Sequence, residues 1–319
     1  MHFGTFVPQG WRIDLAGIAP HDQWPTMQRI ALQAERLGFD SIWVYDHFHT
    51  VPIPTQEPTY EAWTLMAALG AVTDRIRLGQ MCTCNGYRPP SYLAKVAANV
   101  DVISGGRLEF AIGAGWYEQE FNAYGYEFPK ASVRIGQLRE SVEIIKAMWT
   151  SDHASYHGTY YHVDGAINQP KSLQDPHPPI WIAGGGEKLT LRLVAEHADY
   201  ANFHGNIATF RHKSEILAGH CEAVGRDYDE IGRTYHPEVV VAENQADLDT
   251  VVARVAAQRG MTPDAYRAGQ LIGTPDEVVE RLAEYDEAGC AYVICYFGDA
   301  AWGDSIEVFA ERVMPHLTS

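Results

Sequence analysis

The sequence predicts an α/β protein that closes into a single (β/α)8 TIM barrel with insertions. Three observations predict it. Short apolar runs of strand length alternate with segments of helical periodicity through nearly all 319 residues. No linker or shift in composition divides the chain, so residues 1–319 read as one domain with insertions at about 113–178 and 244–270. Every chemically pointed cluster also follows a strand-like run directly. Ser41–Tyr45 leads into Asp46-His47-Phe48-His49, Arg77–Met81 into Cys82-Thr83-Cys84, Leu108–Ile112 into Gly113-Ala114-Gly115-Trp116, and Pro179–Ala183 into Gly184-Gly185-Gly186-Glu187-Lys188. Asp199–Phe203 leads to His204, and Tyr292–Phe297 to Gly298-Asp299. The carboxyl ends of parallel strands share one face, so clusters scattered in sequence converge in space.

The elements follow in order. A strand at His2–Val7 precedes a helix from about Trp24 to Leu37, with Gly38 placed as its C-cap. Strand 2 is Ser41–Tyr45, a helix spans about Thr59 to Val72, and strand 3 is Ile76–Met81. Pro89-Pro90 opens a helix to about Ile103, stopped by Ser104-Gly105-Gly106, and strand 4 is Leu108–Ile112. A helix over Val133–Trp149 is followed by an irregular or hairpin insertion, His153 to Pro179. Strand 5 is Ile180–Ala183, with its helix at Glu187–His197; strand 6 is Tyr200–Phe203, with a helix to about Val224. Strand 7 falls near Tyr235–Ala242, and Asn244–Gln270 reads as helical without a chemical cluster. Thr274-Pro275-Asp276-Glu277 is a strong helix start, with strand 8 at Tyr292–Phe297 and a closing helix behind it.

Composition excludes several classes. At 46% hydrophobic residues the chain buries a large core, and no run of about 18 apolar residues marks a membrane span. The N-terminus enters a strand without a signal-peptide pattern, and five cysteines, an odd and sparse set, suit a reducing cytoplasm. A net charge of −17 with no basic stripe argues against nucleic acid. An anionic ligand then requires local donors.

Four clusters carry the chemistry. The three glycines at 184–186, between a strand end and a helix start, suit close backbone approach and N–H donation to a phosphate, although a flexible turn looks the same. His47 at a strand end is the candidate proton-handling residue, because histidine titrates near neutrality. The competing readings are a structural histidine, or His47 and His49 as metal ligands with His204 and Asp299; the expectation is no metal, since no lysine ends a later strand to bridge two ions. Cys82 and Cys84 point the same way from a strand and read as small wall residues. Gly113, Ala114, Gly115 and Trp116 offer backbone approach and an aromatic wall; Phe6, Trp11, His204, His236, Tyr296 and Trp302 near strand ends suggest a substrate pocket.

These residues together resemble the luciferase-like monooxygenase family, and within it the oxidoreductases that use the deazaflavin coenzyme F420. The likeness rests on Ala34–Trp43 leading to Asp46-His47, Arg75–Gly79, Asp101–Leu108, Gly113–Glu120 and Pro179–Gly186. It implies a bacterial luciferase-like barrel, usually a homodimer, with F420 or alternatively FMN across the C-terminal face and a small-molecule substrate. It implies that Ala183, Gly184, Gly185, Gly186, Glu187 and Lys188 hold the cofactor phosphate, helped by Arg134. Asp46 and His47 would flank the ring, with Gly113–Trp116 nearby, and Met81, Cys82 and Thr83 would back it through a bulge with a non-proline cis peptide at Met81–Cys82. The sugar-phosphate dehydrogenases of the family carry a glutamate where Trp116 stands, which speaks against sugar-phosphate oxidation here. The alternatives to hydride transfer are an FMN-dependent monooxygenase, a metal-dependent barrel hydrolase and a non-catalytic flavin-binding barrel.

Overall fold

A computed structural model describes residues 1–317. In chain order the first half contains β1 (His2–Phe6), α1 (Pro20–Leu37), β2 (Ser41–Val44), α2 (Ala62–Val72), β3 (Arg77–Gln80), β4 (Thr83–Cys84), α3 (Pro90–Ile103) and β5 (Leu108–Gly113). Next come α4 (Glu118–Ala123), α5 (Ala131–Thr150), the hairpin β6 (Ala154–His157) and β7 (His162–Ala166), β8 (Ile180–Ala183), α6 (Thr190–His197) and β9 (Tyr200–Phe203). The last part holds α7 (Ile207–Val224), β10 (Gly232–Tyr235), β11 (Glu238–Val241), α8 (Gln245–Gln258), α9 (Pro263–Arg267), β12 (Leu271–Gly273), α10 (Pro275–Glu287), β13 (Cys290–Phe297) and α11 (Ser305–Arg312).

Eight parallel strands, β1-β2-β3-β5-β8-β9-β10-β13, close on themselves through β13 pairing with β1. This is the (β/α)8 barrel expected. Helices cover the outer face, which is why the strands read as continuous apolar runs rather than alternating ones. Inside, Trp43 and Trp181 fill the barrel, edge to face at 4.8 Å. Gly79 is obligatory there, since a Cβ would lie 2.3 Å from the Trp43 ring.

Two of the motifs that suggested the fold turn out to be struts. The Glu35 carboxylate accepts the backbone N–H groups of Asp74, Arg75 and Ile76, tying α1 to the start of β3. Buried Arg107 donates to the carbonyls of Gly70, Thr73 and Ile76. Asp101 accepts from the backbone of Leu108 and Leu173 and from Gln174 Nε2. A buried guanidinium or carboxylate of this kind is tolerated because its hydrogen bonds are made.

The cis peptide at Met81–Cys82 that the family likeness implied is present. The structure departs from expectation in three places. Strand 3 is interrupted there, and the chain resumes as β4, which continues the pairing of β3 with β5. Strand 7 of the barrel, expected near 235–242, is β10 and reaches that range only at Tyr235; the rest of the range forms β11, which pairs with β12 and with the end of β13. The break sits at Pro237, which has no N–H for a ladder and whose carbonyl accepts from Tyr296 N. The helix expected from Glu187 begins at Thr190, leaving Gly184–Leu189 as an open loop. Among the described residues no helix is long and apolar enough to cross a membrane.

Candidate functional site

The strand carboxyl ends open on one cavity of about 790 Å³. Asp46, His47, Met81, Cys82, Gly113, Ala114, Gly115, Trp116, Arg134, Ala183, Gly184, Trp11, His204 and His236 all line it. The remaining expected site residues stand elsewhere. Thr83 is buried and donates to Gln80. Phe6 lies beneath, stacked on Tyr45 at 4.2 Å, and the Tyr296 hydroxyl donates to Asp14. Trp302 stacks against Arg254, 3.7 Å from guanidinium carbon to ring centre. Gly185, Gly186, Glu187 and Lys188 do not line the cavity; Gly185 is half-buried and the other three are exposed, in the loop that continues from Gly184.

His47 is held on two sides. Its Nδ1 lies 2.7 Å from Glu120 Oε2, and its ring stacks on Trp11 at 4.3 Å, nearly parallel. Glu120 is fully buried and also accepts from Tyr87 Oη and from the backbone N–H of Phe48 and His49. Burial alone would push this carboxyl's pKa up. The hydrogen bonds from His47, His49 and Tyr87, with the charge interaction with His47, outweigh it and hold the pKa below the usual range. An ionised acceptor fixes the proton of His47 on Nδ1, leaving Nε2 as the nitrogen not committed to Glu120.

Asp46, the neighbour, has a different task. It takes both Nη atoms of Arg88 at 2.7 and 2.9 Å and the N–H of Cys84 at 2.8 Å, so it anchors the segment after the bulge. Burial, and next the Asp46 charge, push the Cys82 thiol up to about 12, and Cys84 rises for the same reasons. Neither is a thiolate near neutrality, so neither serves as nucleophile. His49 turns its ring toward Tyr124, and Asp299 is buried against Ser305. Among the described residues no three His, Cys, Asp or Glu side chains group to hold a metal ion.

The wall between the strands is built for close approach. A Cβ on Gly113 would meet Cys82 Sγ at 2.6 Å, and Gly184 has a φ of +128°, open to glycine alone. Lys188, the cation nearest the glycine loop in sequence, is exposed; Lys213 on α7 instead runs its stem beside Gly185 and donates to Glu187 at 2.6 Å. Arg134 comes in from α5, bonded to the carbonyl of Gly115.

The other end of the cavity carries, beside the expected His204 and His236, the residues Arg12, Glu238, Arg259 and Tyr266, which sequence reading missed. Buried Glu238 accepts from Arg12 at 3.0 Å, Arg259 at 2.6 Å and Tyr266 at 2.5 Å. His204 and His236 meet edge to face at 4.1 Å. Asn202 Nδ2 donates to Thr234, whose hydroxyl donates onward to Ala201, so Asn202 Oδ1 must accept from His236 Nδ1. Burial, then His204 and Arg12, lower the His236 pKa well below its ordinary value; burial and Arg12 lower that of His204. Both are neutral at pH 7. The signal available in sequence was Glu238, an acid opening the apolar run Val239-Val240-Val241.

A family profile described as luciferase-like monooxygenase matches residues 1–261. An F420-dependent glucose-6-phosphate dehydrogenase of Amycolatopsis mediterranei is 25% identical over 97% of this chain and 98% of its own. An FMNH2-dependent dimethylsulfone monooxygenase of Pseudomonas putida is 24% identical over 90% of this chain and 86% of its own. Among solved structures, an F420-dependent secondary alcohol dehydrogenase in complex with an F420-acetone adduct superposes with a TM-score of 0.81 at 20% identity, covering 100% of this chain and 99% of that one. That last likeness speaks to the fold. With the profile spanning most of the sequence and the barrel in place, the chain belongs to the luciferase-like monooxygenase family of oxidoreductases.

Proposed function

We propose that the cavity holds coenzyme F420 and that the protein transfers a hydride between it and a small organic substrate, with His47 handling the accompanying proton. The residues present fit such a group. Met81, Cys82, Gly113, Ala114 and Ala183 make an apolar wall with little side-chain relief, suited to a flat ring. Gly184–Gly186 present backbone to a phosphate, with Lys213 beside that loop and Arg134 elsewhere on the cavity lining, against the Gly115 carbonyl. When bound, the coenzyme supplies the two-electron hydride chemistry.

The observation that carries the reading is the His47–Glu120 pair. Moving a hydride to or from an alcohol or carbonyl carbon requires a proton to move at the adjoining oxygen. His47 Nε2 can take or give it while Glu120 keeps the ring oriented and compensates the imidazolium. Trp11, stacked on the imidazole, excludes water from one face. Trp116, 63% exposed at the rim, offers no carboxylate, which supports a substrate other than a sugar phosphate.

The FMNH2-dependent relative supports a second reading, oxygen activation on a reduced flavin. Fluorescence titration with F420 and with FMN side by side separates the two. The expected result is deazaflavin affinity at least about tenfold above that of FMN. Tighter FMN binding with oxygen uptake during turnover would replace this reading with the second.

A further inference from the structure

The end of the cavity away from the glycine loop is rich in donors and poor in acceptors. Arg12 and Arg259 both line it, and both lean on the single carboxylate of Glu238, Arg12 through one N–H and Arg259 through Nη1. A guanidinium has five N–H groups, so most of this donor capacity has no protein acceptor. Beside it the indole Nε1 of Trp11 and Nε of Arg12 are buried without a hydrogen-bond partner. Orphaned donors are rare in folded proteins, and two side by side point to an acceptor that the chain itself does not supply. The guanidinium of Arg12 lies 4.9 Å from the Trp11 ring centre and 5.0 Å from that of Tyr296, and Arg259 lies 5.3 Å from that of Tyr266. These stacks hold the forks in place before any ligand arrives.

Two acids face the two guanidiniums at this end. Glu238 takes a hydrogen bond from each arginine, whereas Asp14, whose carboxylate accepts from the Gly10 N–H and the Tyr296 hydroxyl, acts on Arg259 only through its charge. His204 and His236 add no charge near neutrality.

We propose that the substrate carries a carboxylate, and that Arg12 and Arg259 bind it at the Glu238 end of the cavity, across from the glycine loop. The proposal rests on reading this cavity as the redox site, and it names the class of molecule processed there. A carboxylate matches the planar guanidinium forks and their free N–H groups; a phosphate dianion brings more charge to an end that already holds two acids.

Calorimetric titration of the cofactor-free protein with phenylacetate, phenylacetamide and phenyl phosphate tests it. Phenylacetate is expected to bind about tenfold or more tightly than phenylacetamide, the size of a charge-assisted contact, and no more weakly than phenyl phosphate. Arg12→Gln and Arg259→Gln should each remove most of that advantage, with near-ultraviolet circular dichroism unchanged. Glu238→Gln, which removes the competing carboxylate, should raise phenylacetate affinity, an effect that a purely structural ion cluster does not produce. Equal binding of acid and amide, preference for the phosphate, or an advantage surviving in both arginine variants would overturn the proposal. Titration of the same proteins with F420 keeps the two readings apart. Loss of F420 binding with the carboxylate preference intact sinks the cofactor assignment alone; retained F420 binding without the preference sinks this one.

Discussion

Glu120 Oε2 lies 2.7 Å from His47 Nδ1, and the carboxylate that makes this contact is fully buried and ionised. The two residues are therefore one unit, an imidazole with a fixed tautomer and a compensating charge. His47→Ala should fold and bind cofactor but lose turnover by about 100-fold to 10,000-fold, the range of general acid–base catalysis. Glu120→Gln keeps the shape and removes the charge, so turnover should fall by about 10-fold to 100-fold while cofactor affinity holds. Single-turnover kinetics on both variants, beside a cofactor titration, decides; wild-type rates in a folded His47→Ala protein would remove His47 from the chemistry.

Asp46, the adjacent residue, should behave in the opposite way. Its carboxylate is buried under Arg88 and holds the Cys84 backbone, so Arg88→Met strands a buried charge. Breaking such a pair costs about 3–5 kcal/mol. Urea denaturation should show that loss in full. A shift below about 1 kcal/mol would mean that Asp46 finds water instead.

Three glycines of the wall should separate by geometry. Gly113→Ala drives a Cβ to 2.6 Å from Cys82 Sγ and should weaken binding of either cofactor through a displaced wall. Gly184→Ala places a side chain at φ +128° and should cost stability of about 1–3 kcal/mol. Gly185→Ala meets only the Lys213 stem at 3.5 Å and should be nearly silent. Melting temperatures and cofactor affinities for the three variants give the comparison, and a strongly disruptive Gly185→Ala would contradict it.

His236 should make the protein sensitive to acid. An unfolded chain protonates this side chain near 6.5, the folded one only at a lower pH, because burial and then His204 and Arg12 oppose the charge. Below 6.5 the unfolded state thus binds the extra proton. The contribution is complete above that value and is lost as pH falls toward the lower folded value. His236→Gln should flatten the fall in melting temperature between about pH 6.5 and about pH 5, with little change near pH 8. An identical slope in wild type and variant would place the proton elsewhere.

The barrel was legible because strand and helix periods differ and because glycine, proline and caps punctuate them; the helix start read at Thr274–Glu277 is α10, which begins at Pro275 and carries a capping box between Thr274 and Glu277. His47 was legible for its position after β2. Its partner was not, since Glu120 stands 73 residues away and only the fold of α4 against the loop after β2 joins them. Lys188 was favoured for its nearness to the glycines. The later start of α6 turns it outward, and Lys213 from the next helix approaches the loop in its place. Arg259 looked like one more charge on a solvated helix, because an ion pair across 21 residues of sequence leaves no periodic trace.

The interruption at Pro237 has a further consequence. With its first half β13 closes the barrel against β1 and β10, and with its last residues it carries β11 and, through it, β12. The His47 wall thus grows from strands that cannot shift without opening the barrel. The Arg259 and Tyr266 wall instead grows from a side sheet and the α8–α9 segment, outside the closed ring of strands and joined to it through the end of β13 and the Glu238 carboxylate among other contacts. Under the proposed reading, substitutions in 244–270 would vary the preferred molecule and leave the His47–Glu120 pair untouched, because the two walls of the cavity are built on separate sheets.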